Sequence, residues 1–148
     1  MNKSVILFDL DGTLADNEHR QHFVTNGSKE WDLFFAEQVN DKPNKPIQEL
    51  FQSLKQVNKN QLFIVTARPD NYRTLTSEWL SKYEINPERI IMRKEGDRRS
   101  DVVVKREILS NLRVEGIEPL FVIDDRTSVV NMWRKEGIVC LQCADHDF

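Results

Sequence analysis

Cysteine is scarce in this chain, with only Cys140 and Cys143 among 148 residues. Two thiols cannot build a disulfide framework or, alone, a four-ligand zinc site. Their C-x-x-C spacing invites a redox reading, but residues i and i+3 of an extended segment point to opposite faces, and the pair does not open a helix. Two buried free thiols are expected instead. His19, His22 and His146 show no paired-ligand spacing with each other or with cysteine, which argues against a histidine-based metal centre. No apolar run approaches the roughly 20 residues of a membrane span. The start, Met1-Asn2-Lys3-Ser4, leads into an apolar strand that soon turns acidic, unlike a secretory leader. A cytoplasmic protein without a membrane partner is the expectation. Excess positive charge is missing too: the formal net charge is -3 with 30% charged residues, which excludes a surface coated for non-specific nucleic-acid binding. An anionic substrate must therefore meet a local basic cluster. The five glycines, at 12, 27, 96, 116 and 137, cannot form a G-x-x-x-x-G-K-[ST] loop, so no P-loop kinase domain is expected.

What is present points to one domain over residues 1–148, since 39% hydrophobic residues at this length suffice for a single core. Short apolar runs, Val5 to Phe8, Leu62 to Val65, Ile90 to Met92, Leu120 to Ile123 and Ile138 to Leu141, lack polar alternation and predict strands buried on both faces. Between them apolar residues recur at helical spacing, as in Ile47, Leu50, Phe51, Leu54 and Val57, or Val129, Val130 and Trp133, with Gly137 as a helix stop. This alternation predicts an α/β fold, a Rossmann-like parallel sheet with helices on both faces. Residues 15–46 break the rhythm with Trp31, Phe34 and Phe35 in a polar setting, followed by a turn-rich stretch. They read as a small cap beside the carboxyl end of the first strand, where ligands of open α/β sheets bind.

The segment Phe8-Asp9-Leu10-Asp11-Gly12-Thr13-Leu14 directly follows the first apolar run. If the chain stays extended, Asp9 and Asp11 project to one side, and Gly12 permits the sharp turn that opens a site. A hard, oxygen-preferring ion such as Mg²⁺ suits two close carboxylates and would offset repulsion between a carboxylate nucleophile and a phosphate dianion. Alone, the segment also fits an acidic turn with a helix cap. Thr66, at the end of the second run, and Arg68 offer a hydroxyl, backbone amides and a guanidinium fork for phosphoryl oxygens. Lys105 could place a positive charge beside a transferring group, although a lone helical Lys is ordinarily solvated. Asp124 and Asp125 repeat the strand-then-acid logic and are expected to complete the metal site with Asp9 and Asp11. A blander role, Asp125 or Thr127 capping the next helix, is compatible with it.

In this order, Asp9-Leu10-Asp11-Gly12-Thr13, Thr66, Lys105 and Asp124-Asp125 resemble the four motifs of the haloacid dehalogenase superfamily of phosphotransferases. The resemblance implies a Mg²⁺-dependent hydrolase in which Asp9 attacks phosphorus, while Asp11 protonates the leaving oxygen and then activates water against the aspartyl-phosphate. Residues Gly96 to Glu107, Ile123 to Arg134 and the ending Asp147-Phe148 are similar, more closely, to the phosphatase domain of bacteriophage polynucleotide kinase-phosphatase. That family removes 3′-phosphates, including 2′,3′-cyclic phosphate on RNA, during end healing. Carried over, Arg20, Arg68, Arg93 and Asp101 match positions implicated in activity, with Asp101 orienting Lys105 and holding it charged. Arg20, Arg93, Arg98 and Arg99 become candidates for substrate binding.

The required basic cluster is Arg89, Arg93, Lys94, Arg98, Arg99, Lys105 and Arg106, opposed by Glu95, Asp97 and Asp101. It could track a nucleic-acid backbone. Otherwise it is a solvated face with internal ion pairs. The leading expectation is a polynucleotide 3′-phosphatase acting on nucleic-acid 3′ ends beside a separate kinase or ligase. A small-molecule phosphatase or nucleotidase with the same chemistry is the alternative. A non-catalytic end-binding relic would predict a decayed motif, and none is decayed. The segment from Arg20 to Pro46 is longer than the family pattern.

Overall fold

The computed structural model describes residues 3–25 and 29–146. In chain order the elements are β1 (Val5–Phe8), β2 (Ala15–Asp16), α1 (His22–Thr25), α2 (Trp31–Ala36), β3 (Lys42–Pro43), α3 (Lys45–Val57), β4 (Gln61–Pro69), α4 (Arg73–Lys82), β5 (Arg89–Arg93), α5 (Asp101–Val114), β6 (Phe121–Arg126), α6 (Thr127–Lys135) and β7 (Cys140–His146). The Asp147-Phe148 ending lies outside the described residues.

Five strands form a parallel sheet in the order β5-β4-β1-β6-β7. All four residues of β1 are buried, because successive side chains enter two different cores. Val5 and Leu7 join Ile108 and Leu109 of α5 and Val130 and Trp133 of α6, whereas Ile6 and Phe8 join Phe51 of α3 and Trp79 and Leu80 of α4. Helices therefore cover both faces, as the strand-helix alternation predicts. The chain steps outward from β1 through β4 and β5, then crosses to β6 and β7. Strand order thus reverses beside β1, the position at which such sheets open a crevice at their carboxyl ends.

The last strand departs from expectation. It begins at Cys140 and runs on to His146, past the apolar run, because its partner β6 extends to Arg126, which pairs with His146. As an edge strand it leaves Leu141 half exposed. Gly137, at a φ of 84°, ends α6 as its position suggests. Cys140 enters one core and Cys143 packs against the other, the opposite faces anticipated, but Cys143 is only half-buried. Burial pushes the two thiols up to about 12 and about 11, so both stay protonated and unreactive at neutral pH.

The cap is built on a two-stranded antiparallel ribbon, in which Ala15 pairs with Pro43 and Asp16 with Lys42. α1 and α2 fall between these two strands in the chain. Among the described residues no helix is long and apolar enough to cross a membrane.

Candidate active site

The site forms where β1 and β6 end. Asp9 follows the last residue of β1, Asp124 and Asp125 belong to β6, and the Asp9 amide donates to the Ile123 carbonyl at 2.9 Å, fixing the two strand ends together. Carboxylate oxygens of Asp9, Asp124 and Asp125 lie within 4.8 Å of one another, and all three residues are buried. Into this group α5 projects Lys105, whose Nζ stands 2.7 Å from Asp9 Oδ1 and 3.0 Å from Asp124 Oδ2. At 3% exposure it is the opposite of a solvated helix lysine. Burial disfavours its charge, but Asp124 and Asp9 outweigh burial and hold the ammonium well above its usual range. The Asp9 carboxyl also rises: burial, then Asp124, raise it well above the ordinary value against the pull of Lys105. Three carboxylates against one ammonium leave two formal negative charges in a buried oxygen-rich cluster, a donor set that fits a hard divalent cation.

Gly12 is required by this crowding. It has a φ of 81°, and a Cβ there would overlap the Asp125 carboxylate, with Cγ only 2.8 Å away. Thr13 Oγ1 sits between Asp9 Oδ2 at 2.9 Å and Asp125 Oδ1 at 3.3 Å, and can donate to one at a time. The expected helix-capping role of Asp125 or Thr127 is not observed. Arg126 holds the capping position of α6 without a side-chain bond, and Asp124 Oδ1 instead accepts the Asp125 amide at 2.9 Å. Trp133, legible in the sequence only as core, donates Nε1–H to Asp124 Oδ2 at 3.2 Å. His146 Nδ1 lies 2.5 Å from Asp125 Oδ2, so a histidine without paired-ligand spacing still borders the acidic cluster.

The carboxylate of Asp11 does not join this cluster, contrary to the expectation that it would bind the metal beside Asp9. The chain does not stay extended: the amides of Thr13, Leu14 and Ala15 all converge on the Leu10 carbonyl, at 3.2, 3.0 and 2.9 Å, and the tight loop turns Asp11 toward the cap. There Arg68 approaches through Nε at 3.0 Å and Nη2 at 2.7 Å, and Arg20 through Nη2 at 2.5 Å. Burial would raise the Asp11 pKa, but the Arg68 and Arg20 guanidinium groups outweigh burial and hold the carboxyl well below its usual range. Both arginines are fully buried. Arg68 also donates to Gln38 Oε1, and Arg20 to the Phe34 carbonyl at 2.9 Å, so these two forks orient Asp11 rather than offer themselves to a substrate. Asp41 completes the arrangement. Its buried carboxylate takes Arg20 Nε and Nη2 at 2.8 Å each, Arg68 Nη2 at 3.3 Å and His19 Nε2 at 2.7 Å. Nothing in the sequence marks Asp41 beyond a turn; only the need of two buried guanidinium groups for a counter-charge could have found it.

Thr66 is fully buried, and its Oγ1 accepts the Arg68 amide at 3.2 Å, which leaves the hydroxyl proton for another acceptor. Asp101 does not touch Lys105 as expected. It bridges Arg93 at 2.7 Å and Arg126 at 2.6 Å, because the first residue of α5 faces the ends of β5 and β6 while Lys105, one turn on, faces β1. Arg93 further donates to the Ala67, Asp97 and Arg99 carbonyls, shaping the loop before α5. Most of the basic cluster is paired internally: Arg99 with Asp97 and Glu107, Arg89 with Glu115, Arg106 with Glu136. Arg98 and Lys94 remain as exposed positive charge.

Residues 3–148 match the family described as the polynucleotide kinase PNKP phosphatase domain. Among solved structures, the chain is similar to a Pnkp1/Rnl/Hen1 complex at 30% identity and a TM-score of 0.82, with all of this chain covering 48% of that one. It is equally similar to a Pnkp1/Rnl/Hen1 RNA repair complex, at 30% identity and a TM-score of 0.81, over all of this chain and 44% of the other. The chain thus spans about half the length of these relatives. A haloacid dehalogenase-like hydrolase from Streptococcus pneumoniae, at 18% identity and a TM-score of 0.67 over 95% of this chain and 84% of that one, shares the fold.

Proposed function

Because the chain belongs to the polynucleotide kinase PNKP phosphatase domain family of haloacid dehalogenase-type phosphatases, we propose that it removes a phosphate from nucleic-acid 3′ ends through an aspartyl-phosphate on Asp9. The observation that carries this reading is the separation of the two motif aspartates. Asp9 sits against Lys105 in the acidic cluster, while Asp11, two residues on, is gripped by Arg20 and Arg68. Such an arrangement gives one carboxylate for attack and another, independently oriented, for proton transfer.

In the first step an Asp9 oxygen bonds to phosphorus and the ester P–O bond breaks; the leaving oxygen takes a proton from Asp11. In the second, water attacks phosphorus, Asp11 takes the water proton, and the Asp9–phosphorus bond breaks to release inorganic phosphate. The ionised state in which the arginines hold Asp11 suits the second step. The first needs a proton on it, which an arriving phosphate dianion favours by like-charge repulsion. Lys105 and the Thr66 hydroxyl stand ready to balance charge on phosphoryl oxygens. Asp9, Asp124 and Asp125 are the residues that would hold Mg²⁺. When bound, the ion supplies charge neutralisation between the attacking carboxylate and the phosphate.

A small-molecule phosphatase or nucleotidase is the second reading, favoured by the internal pairing of the basic cluster. Since one of the similar structures is an RNA repair complex, a separate ligase partner at RNA ends is part of the first. Turnover of a 3′-phosphorylated oligonucleotide, compared with a free 3′-mononucleotide and sugar phosphates, tests the choice. Preference for the oligomer supports end healing, and preference for sugar phosphates overturns it.

A further inference from the structure

The cap carries a row of aromatic rings that no catalytic step uses. Trp31 stacks on Phe35 with centroids 5.9 Å apart and planes 23° from parallel, and Phe35 meets Tyr72 at 5.4 Å. Phe34 meets Trp31 edge-on at 5.6 Å, and the Arg20 guanidinium lies over the Phe34 ring, 4.3 Å from its centroid. Trp31 is 48% exposed, whereas the other two tryptophans, Trp79 and Trp133, are buried. An indole half in water at the start of a six-residue helix is a costly way to cap a core, and its place is specific.

The helix carrying these rings is joined to the reaction centre by hydrogen bonds through Arg20. The Phe34 carbonyl accepts from Arg20, and Arg20 holds Asp11. Tyr72 lies just beyond the carboxyl end of β4, the strand that carries Thr66 and Arg68. The helix that carries Trp31 and Phe35 is thus tied to Asp11 through Arg20, and the row ends on the segment that follows β4. Around Trp31 the exposed charge is mostly acidic, with Glu30, Asp32 and Glu37 against Lys29 on and beside α2; at the Tyr72 end Glu95 lies near the ring and Arg73 adjoins it. Beside Trp31 that acidic excess disfavours a phosphate but leaves a neutral aromatic base unopposed.

We propose that Trp31, backed by Phe35 and Tyr72, is a stacking platform for a nucleobase at the phosphorylated end. The proposal rests on the 3′-end reading above and names the feature that would recognise that end: the π-face of a base rather than a basic track. Stacking on an aromatic side chain tolerates every base, which suits an enzyme acting on ends regardless of sequence.

The test is the ratio of kcat/KM for a 3′-phosphorylated oligonucleotide to that for the same oligomer with abasic sugars at its last two positions. In wild type the base-bearing end is preferred; Trp31→Ala lowers the ratio about tenfold, the low end of one base-aromatic stack, and Trp31→Phe restores most of it. In an Asp9→Asn background, which holds substrate without turning it over, the 3′-phosphorylated oligomer quenches the exposed tryptophan's fluorescence, and Trp31→Phe removes the quench. If a free 3′-mononucleotide suffers the same loss, the terminal base occupies the platform; if only the oligomer does, the next base inward occupies it. An equal loss on base-bearing and abasic ends overturns the proposal and assigns the rings to cap stability or a protein contact. Absence of turnover on every 3′-phosphorylated nucleotide end, with sugar phosphates cleaved, sinks the 3′-end reading itself.

Discussion

Asp41 grips Arg20 with both carboxylate oxygens, at 2.8 Å from Nε and 2.8 Å from Nη2, and Arg20 passes its remaining reach to Asp11. Asp41→Asn leaves two buried guanidinium groups facing the single charge of Asp11. Breaking one partner of a buried pair costs about 3–5 kcal/mol, so urea unfolding should show a loss in that range. Because Asp11 then loses its fixed orientation, kcat should fall more than KM rises. A stability change under about 1 kcal/mol, the scale of a surface pair, would remove Asp41 from this role.

Asp9→Asn should end turnover, since an amide cannot attack phosphorus and the acidic cluster loses a ligand. Chelation with EDTA should silence the native protein, and added magnesium should restore it. Retention of more than about a hundredth of the native rate in the variant would be inconsistent with an attacking group, whose loss costs several powers of ten.

Asp11→Asn separates the acid role from mere positioning. An ester with a poor leaving group should be nearly inert, whereas an activated aryl phosphate, which departs without a proton, should still form the phosphoenzyme. Burst kinetics with the aryl ester provide the measurement. Equal loss on both substrates would leave Asp11 as a structural partner of Arg20 and Arg68 only.

The sheet and the acids Asp9, Asp124 and Asp125 are legible because they depend on local patterns: unbroken apolar runs, and acids placed directly after them. Lys105 alone reads as surface and is singled out by its place in the order of motifs; its burial is decided by α5 packing against β4 and α6, a tertiary fact. The Asp11 carboxylate departs from its expected side for a related reason. Two-residue spacing fixes a side only in an extended chain, and the amides that fold onto the Leu10 carbonyl end that extension. Asp41, Gln38 and His146 act through partners far away in sequence and carried no local mark. The basic cluster is visible as composition, but which of its charges are spent depends on partners brought up by the fold: Glu107, which adjoins the cluster but pairs with Arg99 eight residues back, and the more distant Glu115 and Glu136.

Glu88 ties α3 to the start of β4, taking Lys55 Nζ at 2.5 Å and the Leu62 amide at 2.6 Å. Burial would raise its pKa, but Lys55 and the Leu62 amide outweigh burial and lower it. A depressed carboxyl contributes stability above its unfolded value of about 4.3, and that contribution is lost as pH falls through the folded value. The urea midpoint of the native protein should therefore drop between about pH 5 and 3 by more than that of Glu88→Gln. Parallel curves would show that the bond carries no charge-dependent stability.

Salt dependence tests how much of the basic cluster reaches substrate. Arg99 is tied to Asp97 at 2.7 Å and to Glu107 at 2.5 Å, and Arg93 to Asp101 at 2.7 Å, so of the residues around the loop before α5 chiefly Lys94 and Arg98 offer unspent charge. Each phosphate contact on a single strand contributes a slope of about 0.7 in a log-log plot of affinity against salt. Two contacts predict a shallow dependence for the 3′-phosphorylated oligomer, of about 1.4. Arg98→Ala should raise KM for that oligomer and reduce the slope by roughly 0.7, with far less effect on a small phosphate ester. Arg99→Ala acts differently, because it uncovers Asp97 and Glu107, and it should weaken oligomer binding through added repulsion while also loosening the loop that Arg93 shapes. A native slope of about 4 or more would mean that the ion pairs open and that the whole cluster tracks the backbone after all. A slope near zero, unaltered in Arg98→Ala, would leave recognition of the end to the phosphate pocket and the aromatic cap.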